Sequence, residues 1–188
     1  MVAHEAGIAG SLELITVETL AQPPDLLAAN PLSKVPCLVP DDGPTLFDSR
    51  VICEYLDLRF NAGRLFPSAP EGRIAALRWQ ALADGIMDAA VLCRYEGLRP
   101  EAERSARWIE RQRGKIGRAV DLLESEVEEG LGSAPFSIAQ LAISAALGYL
   151  DLRFEDMRWR EGHPKLTLWY GRMRERRSIG LTDPIGQP

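Results

Sequence analysis

The sequence predicts two parts of different class, a short α/β domain over residues 1–62 and an all-helical domain over residues 71–188. Three observations predict it. The hydrophobic period changes several times before residue 60 and stays helical afterwards. A stretch bearing Gly, Pro and Ser, Asn61 to Gly72, separates the two regimes. The net charge of −5 belongs to the first part, since residues 1–75 hold ten acids against five bases, whereas residues 76–188 hold seventeen of each.

In chain order, Leu12 to Val17 (LELITV) is a β-rich run after turn-forming residues and predicts a strand. A short helix is expected at Asp25 to Ala29, stopped by Asn30-Pro31. Pro36 to Val39 and Thr45 to Phe47 flank Asp41-Asp42-Gly43-Pro44, which predicts a hairpin. Asp48 and Ser49 stand where N-caps stand, and Val51, Ile52, Tyr55, Leu56 and Phe60 share a face at helical spacing. Beyond the linker, Glu71 to Tyr95 predicts a helix buried along Ile74, Leu77, Leu82, Ile86 and Val91. Pro100 is expected to open a second long helix, buried along Trp108, Ile109, Ile116, Val120, Leu123 and Val127, that pairs with the first. Ser137 to Tyr149 predicts a central buried helix, with Ser137 and Gln140 at capping-box spacing. A last helix, Pro164 to Arg176, turns Leu168, Trp169 and Met173 inward before a Gly- and Pro-containing tail.

Composition excludes several function classes. At 46% hydrophobic and 26% charged residues over 188 positions, disorder is ruled out. No apolar run reaches the roughly 18 residues of a membrane helix, and no secretory signal opens the chain, so a cytoplasmic protein without membrane contact is expected. The arginines are interleaved with glutamates, so nucleic acid is not an expected partner. Cys37, Cys53 and Cys93 are odd in number and widely spaced, with no CxxC, which predicts buried structural thiols and no metal site. The tryptophans predict core positions, and His4 and His163 carry no functional signal.

The most informative stretch is Asn30 to Tyr55. Pro36 opens a strand, where a missing amide hydrogen is tolerated. Asp48-Ser49 reads either as a plain helix cap or as an anion site, with free amides, the positive end of the helix dipole and a serine hydroxyl facing outward. Together, Asn30-Pro31-Leu32-Ser33-Lys34-Val35-Pro36-Cys37-Leu38, Asp48-Ser49 and Ile52-Cys53-Glu54-Tyr55-Leu56 resemble the glutathione transferase family. The resemblance continues through Ala81 to Ala89 and Phe136 to Tyr149. Ser33 stands where the family usually has glycine, and Gln140 where it has a capping aspartate.

The resemblance implies a thioredoxin-like first domain, an all-helical second domain and glutathione as co-substrate, with no bound cofactor. It implies that Val35 pairs its backbone with the cysteinyl unit, with Pro36 cis. Asp48 and Ser49 would hold the γ-glutamyl end, with Asp48 suited to its α-ammonium, and Lys34 would reach a peptide carboxylate. The implied function is conjugation of the glutathione thiolate to an electrophilic small molecule, as in detoxification, by a homodimer. Arg94 and Tyr95 are candidates for the second-substrate pocket, against a commoner core or surface role.

Family members begin with a strand, a loop bearing the thiolate-stabilising Ser, Cys or Tyr, and the start of the first helix. Met1 to Ile8 aligns with the end of that helix. The first domain is therefore expected to be short by about 15 residues, from the average strand length plus a loop and two turns. No catalytic residue is assigned, and Leu12 to Val17 and Pro36 to Val39 are expected to be unpaired edges. Cys37 is not expected to substitute, since strand alternation turns it from its neighbours' face. Two alternatives stand beside the enzyme: a non-catalytic binding or stress-associated protein with the same pocket, and a glutathione-dependent thiol reductase.

Overall fold

The computed structural model describes residues 1–183, and the chain divides into two compact units, Val2–Phe66 and Pro67 onward. The tail expected after the last helix is described only to Asp183; the rest of it lies outside the described residues.

The first unit carries helices α1 (Val2–Glu5), α2 (Pro24–Ala29) and α3 (Ser49–Phe60). Pro24 opens α2, where a helix needs no amide hydrogen. The hairpin condenses to one antiparallel pair, in which Leu38 and Leu46 exchange backbone hydrogen bonds of 3.0 and 2.8 Å. Gly43, at φ +103°, makes its turn. Val2, Leu26, Ile52, Leu56, Leu65 and Phe66 are the buried apolar residues of this unit, and α1 packs on α3.

Two expectations for this unit are corrected. Leu12 to Val17 is not a strand; among the described residues Glu13 to Val17 neither donate nor accept a backbone hydrogen bond, and Leu14 is 87% exposed. High β propensity does not make a strand without a ladder partner, and among the described residues none pairs with this segment. The α3 face is also narrower than its spacing suggests. Val51 and Phe60 are exposed, because Ile52 and Leu56 alone supply its buried apolar contact.

Asp57 fixes where the first unit ends. It is fully buried on α3, and its carboxylate accepts from Asn61 Nδ2 at 2.8 Å, Leu65 N at 3.0 Å and Phe66 N at 3.2 Å. One acid thereby satisfies the amides of the segment leaving the helix and draws Leu65 and Phe66 into the core.

The second unit contains α4 (Pro70–Leu98), α5 (Ala106–Glu126), α6 (Ile138–Arg153), α7 (Pro164–Arg174) and α8 (Arg177–Gly180). Helix α4 packs on both α5 and α6, and ten residues of α6 are buried, which makes it the centre of the unit. The buried seam of α4 is Ala76, Trp79, Ala83, Ile86, Ala90 and Cys93, at alternating spacings of three and four. That corrects the expected stripe, since Ile74 is 67% exposed and Val91 is exposed as well. Three alanines alternate with Trp79, Ile86 and Cys93 along the seam, and Ile74 and Val91 lie off that face. Likewise Leu166, Trp169 and Tyr170, with Leu168 exposed, form the buried face of α7.

Pro100 does not open α5. It precedes a 3₁₀ turn, Glu101–Glu103, and Ser105 caps the helix, its Oγ accepting from Trp108 N at 3.2 Å. Glu96 accepts from Ser105 N at 2.7 Å, holding the turn against the end of α4. Trp108 consequently sits at the exposed first turn rather than in the core. Helix α5 runs on into a π turn, Val127–Leu131, where a Cβ on Gly130 would lie 2.9 Å from the Trp79 ring. Glycine is what lets the turn meet that ring.

The cap of α6 forms as a full capping box. Gln140 Oε1 accepts from Ser137 N at 2.9 Å, while Gln140 Nε2 donates to Leu131 O at 3.0 Å and Pro135 O at 3.3 Å. An aspartate here would cap but could not donate, so the amide ties the end of the π turn to α6.

Candidate functional site

The candidate residues lie on two adjoining segments of the first unit. The first is the loop from Asn30 to Cys37. Asn30 is only 2% exposed; its Oδ1 accepts from Leu32 N at 3.0 Å and its Nδ2 donates to Lys34 O at 2.9 Å. Cys37 Sγ donates to the same Lys34 oxygen at 3.1 Å. Ser33, with φ +52°, sits in the left-handed region. Glycine enters that region freely and serine does not, so the departure at residue 33 costs about 1 kcal/mol in the turn.

From this loop the chain enters Val35-Pro36, whose peptide bond is cis. Lys34, Val35 and Pro36 are exposed. The Val35 amide, Val35 carbonyl and Lys34 ammonium have no partner among the described residues.

The second segment begins α3. Asp48 Oδ1 accepts from Arg50 N at 3.1 Å, so the carboxylate caps the helix. The Phe47-Asp48 peptide is also cis. Ser49 is half-buried, and its hydroxyl and amide make no hydrogen bond among the described residues. Counted outward from the Leu38–Leu46 pair, Pro36 stands across from Asp48. The pairing thus brings Val35-Pro36 and Asp48-Ser49 to one end of the hairpin: two free backbone groups, a free hydroxyl, a carboxylate and a helix N-terminus. Such a set suits a ligand bearing both a peptide unit and charged ends.

Sequence reasoning missed two contributors, Asn30 and Cys37. Asn30 reads as a helix stop, and its buried carboxamide is signalled only by the Asn-Pro turn chemistry at residues 30–31. None of the three cysteines forms a disulfide, and Cys37 and Cys53 are only half-buried, where buried thiols were expected. Cys93 is buried, and that burial pushes its thiol pKa up, away from the thiolate a nucleophile needs. Arg94 and Tyr95, on α4 of the second unit, are both exposed.

Other concentrations of charge are spent on the fold. A cleft of about 660 Å³ in the second unit is lined by Arg158, Arg160 and Arg174, which pair with Glu161, Asp151 and Asp183 respectively. The ring nitrogens of His163 stand 2.6 Å from Trp159 O and 2.9 Å from Asp121 Oδ1, tying the start of α7 to α5. Among the described residues no group of His, Cys, Asp or Glu could hold a metal ion, and no helix is long and apolar enough to cross a membrane.

Two family models match the chain, the glutathione S-transferase N-terminal domain over residues 1–59 and its C-terminal domain over residues 106–172. The chain belongs to the glutathione S-transferase family. Its fold is the glutathione transferase fold, with a first domain of thioredoxin-like lineage. Similar to it is an uncharacterized GST-like protein, YibF, from Escherichia coli K12, 38% identical over 82% of this chain and 77% of that one. A glutathione transferase family member from Pseudomonas fluorescens Pf-5, solved with bound glutathione, superposes with a TM-score of 0.90 at 41% identity, covering 97% of this chain and 90% of its own. A glutathione S-transferase from Methylobacillus flagellatus, also with glutathione bound, gives 0.88 at 38% identity, over 97% and 91% of the two chains.

Proposed function

We propose that this transferase-family chain binds glutathione at Lys34, Val35, Pro36, Asp48 and Ser49 and delivers its thiolate to an electrophilic small molecule. The observation that carries the reading is the juxtaposition of the free Val35 backbone groups with the free Ser49 hydroxyl at one end of the hairpin. Glutathione has the matching groups. Its cysteinyl unit offers an amide N–H and a carbonyl to Val35. Its γ-glutamyl carboxylate accepts from the Ser49 hydroxyl and the Ser49 amide at the start of α3, while its α-ammonium faces Asp48. The glycyl carboxylate takes Lys34 as a point charge. Holding the tripeptide there places the cysteinyl sulfur at a fixed position for attack, and positioning is the part of catalysis these residues supply.

The thiol-reductase alternative needs a cysteine in the thiolate-stabilising loop that family members carry before the first helix, a position that none of Cys37, Cys53 and Cys93 occupies. Glutathione bound in the Pseudomonas and Methylobacillus relatives supports the ligand. The exposed apolar run Val91, Leu92, Tyr95 and Leu98 along α4 supports a homodimer, which a single-protomer mass in sedimentation would contradict. We place the protein in the cytoplasm, where reduced glutathione is abundant.

Calorimetric titration with glutathione tests the binding reading. Saturable binding is expected, and Ser49→Ala should weaken it about ten- to a hundredfold, the loss of one hydrogen bond to a carboxylate. An unchanged affinity in Ser49→Ala, or no binding by the unsubstituted chain, overturns it.

A further inference from the structure

We propose that Asn30 and Cys37 are positioning residues of the glutathione site, clamping the Lys34 carbonyl inward and so aiming the Val35 N–H at the ligand. The inference rests on the proposed binding of glutathione and adds to it the device that orients the backbone donor. Neither side chain belongs to the set expected to touch glutathione.

The geometry is that of one peptide unit. The Lys34–Val35 peptide is trans, the cis bonds among the described residues being Val35-Pro36 and Phe47-Asp48. In a trans unit the C=O and N–H point in opposite directions. Lys34 O accepts from the buried Asn30 Nδ2 at 2.9 Å and from the half-buried Cys37 Sγ at 3.1 Å, so two side-chain donors hold it. The Val35 N–H must therefore point away from Asn30. It has no partner among the described residues, and Val35 is 54% exposed.

Asn30 is itself held fast. It is buried, its Oδ1 accepts from Leu32 N, and its own carbonyl accepts from Ser33 N at 2.9 Å. The carboxamide thus cannot rotate without losing a second bond. Rotation of the Lys34–Val35 unit, which would turn the N–H inward, forfeits both bonds to Lys34 O, each lowering the rotated population by about two- to tenfold. Preorganising a donor in this way raises affinity without adding a contact to the ligand.

The two clamp residues give separate tests on the full chain. Asn30→Asp keeps the acceptor for Leu32 N and deletes the donor to Lys34 O; Cys37→Ala deletes the second donor and Cys37→Ser restores one. With glutathione as the calorimetric titrant, Asn30→Asp is expected to weaken binding by about tenfold. Cys37→Ala should weaken it by about two- to fivefold and Cys37→Ser should recover most of that loss, since a thiol is the weaker donor. The Val35 amide proton should shift downfield on saturation in the unsubstituted chain and less in Asn30→Asp, a signature that a general loss of stability would not produce. Equal affinities for Cys37→Ala and Cys37→Ser together with an unmoved Val35 amide overturn the inference. Should Asn30→Asp fail to fold, the Cys37 pair decides alone. If the unsubstituted chain binds no glutathione, the proposed function fails and this inference with it; if it binds and the variants bind equally, the inference alone fails.

Discussion

Asp57→Ala is expected to cost the protein on the order of 2–5 kcal/mol, because it orphans the buried Leu65 and Phe66 amides at roughly 1–3 kcal/mol each. Both residues are nearly inaccessible, at 3% and 4% exposure, so water cannot take the place of the carboxylate. The Asn61 side chain also loses its partner. Asp57→Asn keeps the shape and one acceptor oxygen, and should cost less. Urea unfolding followed by circular dichroism measures the difference; an Asp57→Ala value within about 0.5 kcal/mol of the unsubstituted chain would show the carboxylate to be dispensable.

The second large effect is alkaline destabilisation through Tyr170 on α7. Burial pushes its phenol pKa up to about 12, and the carboxylates of Asp151 and Asp183 add to the shift. An unfolded tyrosine ionises near 10. Between these values the unfolded chain has released the proton and the folded chain retains it, so the unfolded state binds fewer protons and stability falls as pH rises. The contribution is intact below about pH 10 and declines above it, the loss reaching on the order of 2 kcal/mol by pH 12. Tyr170→Phe removes the titrating group and should unfold later on an alkaline titration. Identical loss in both chains between pH 10 and 12 would rule out Tyr170 as the cause.

What was legible in the sequence was local. Asp48 caps α3 through an amide two residues away, and the Ser137–Gln140 box closes over three residues, so each is written in adjacent letters. Asp57 was not legible, since its partners lie eight and nine residues on and are backbone amides, which carry no residue identity. The α4 seam was legible at Ile86 and missed at Ala76, Ala83 and Ala90, whose small side chains carry little hydrophobic signal, while Ile74 and Val91 are exposed. Leu12 to Val17 has strand composition and was expected to lack a neighbour; with no ladder partner among the described residues, that composition does not make it a strand.

The site divides in the same way. Lys34-Val35-Pro36 and Asp48-Ser49 are expected as site residues from the resemblance to the family, and the Leu38–Leu46 pairing brings the two segments to one end of the hairpin. Asn30 and Cys37 were missed as contributors because both act on a carbonyl, that of Lys34, whose direction no sequence shows.

The central claim is that glutathione lies between Val35 and Ser49. Titrating glutathione into isotopically labelled protein and following the backbone amide resonances tests it most directly. The account predicts that the Val35 and Ser49 amides move together and saturate at one common affinity; resonances that stay fixed, or move linearly without saturation, would contradict it.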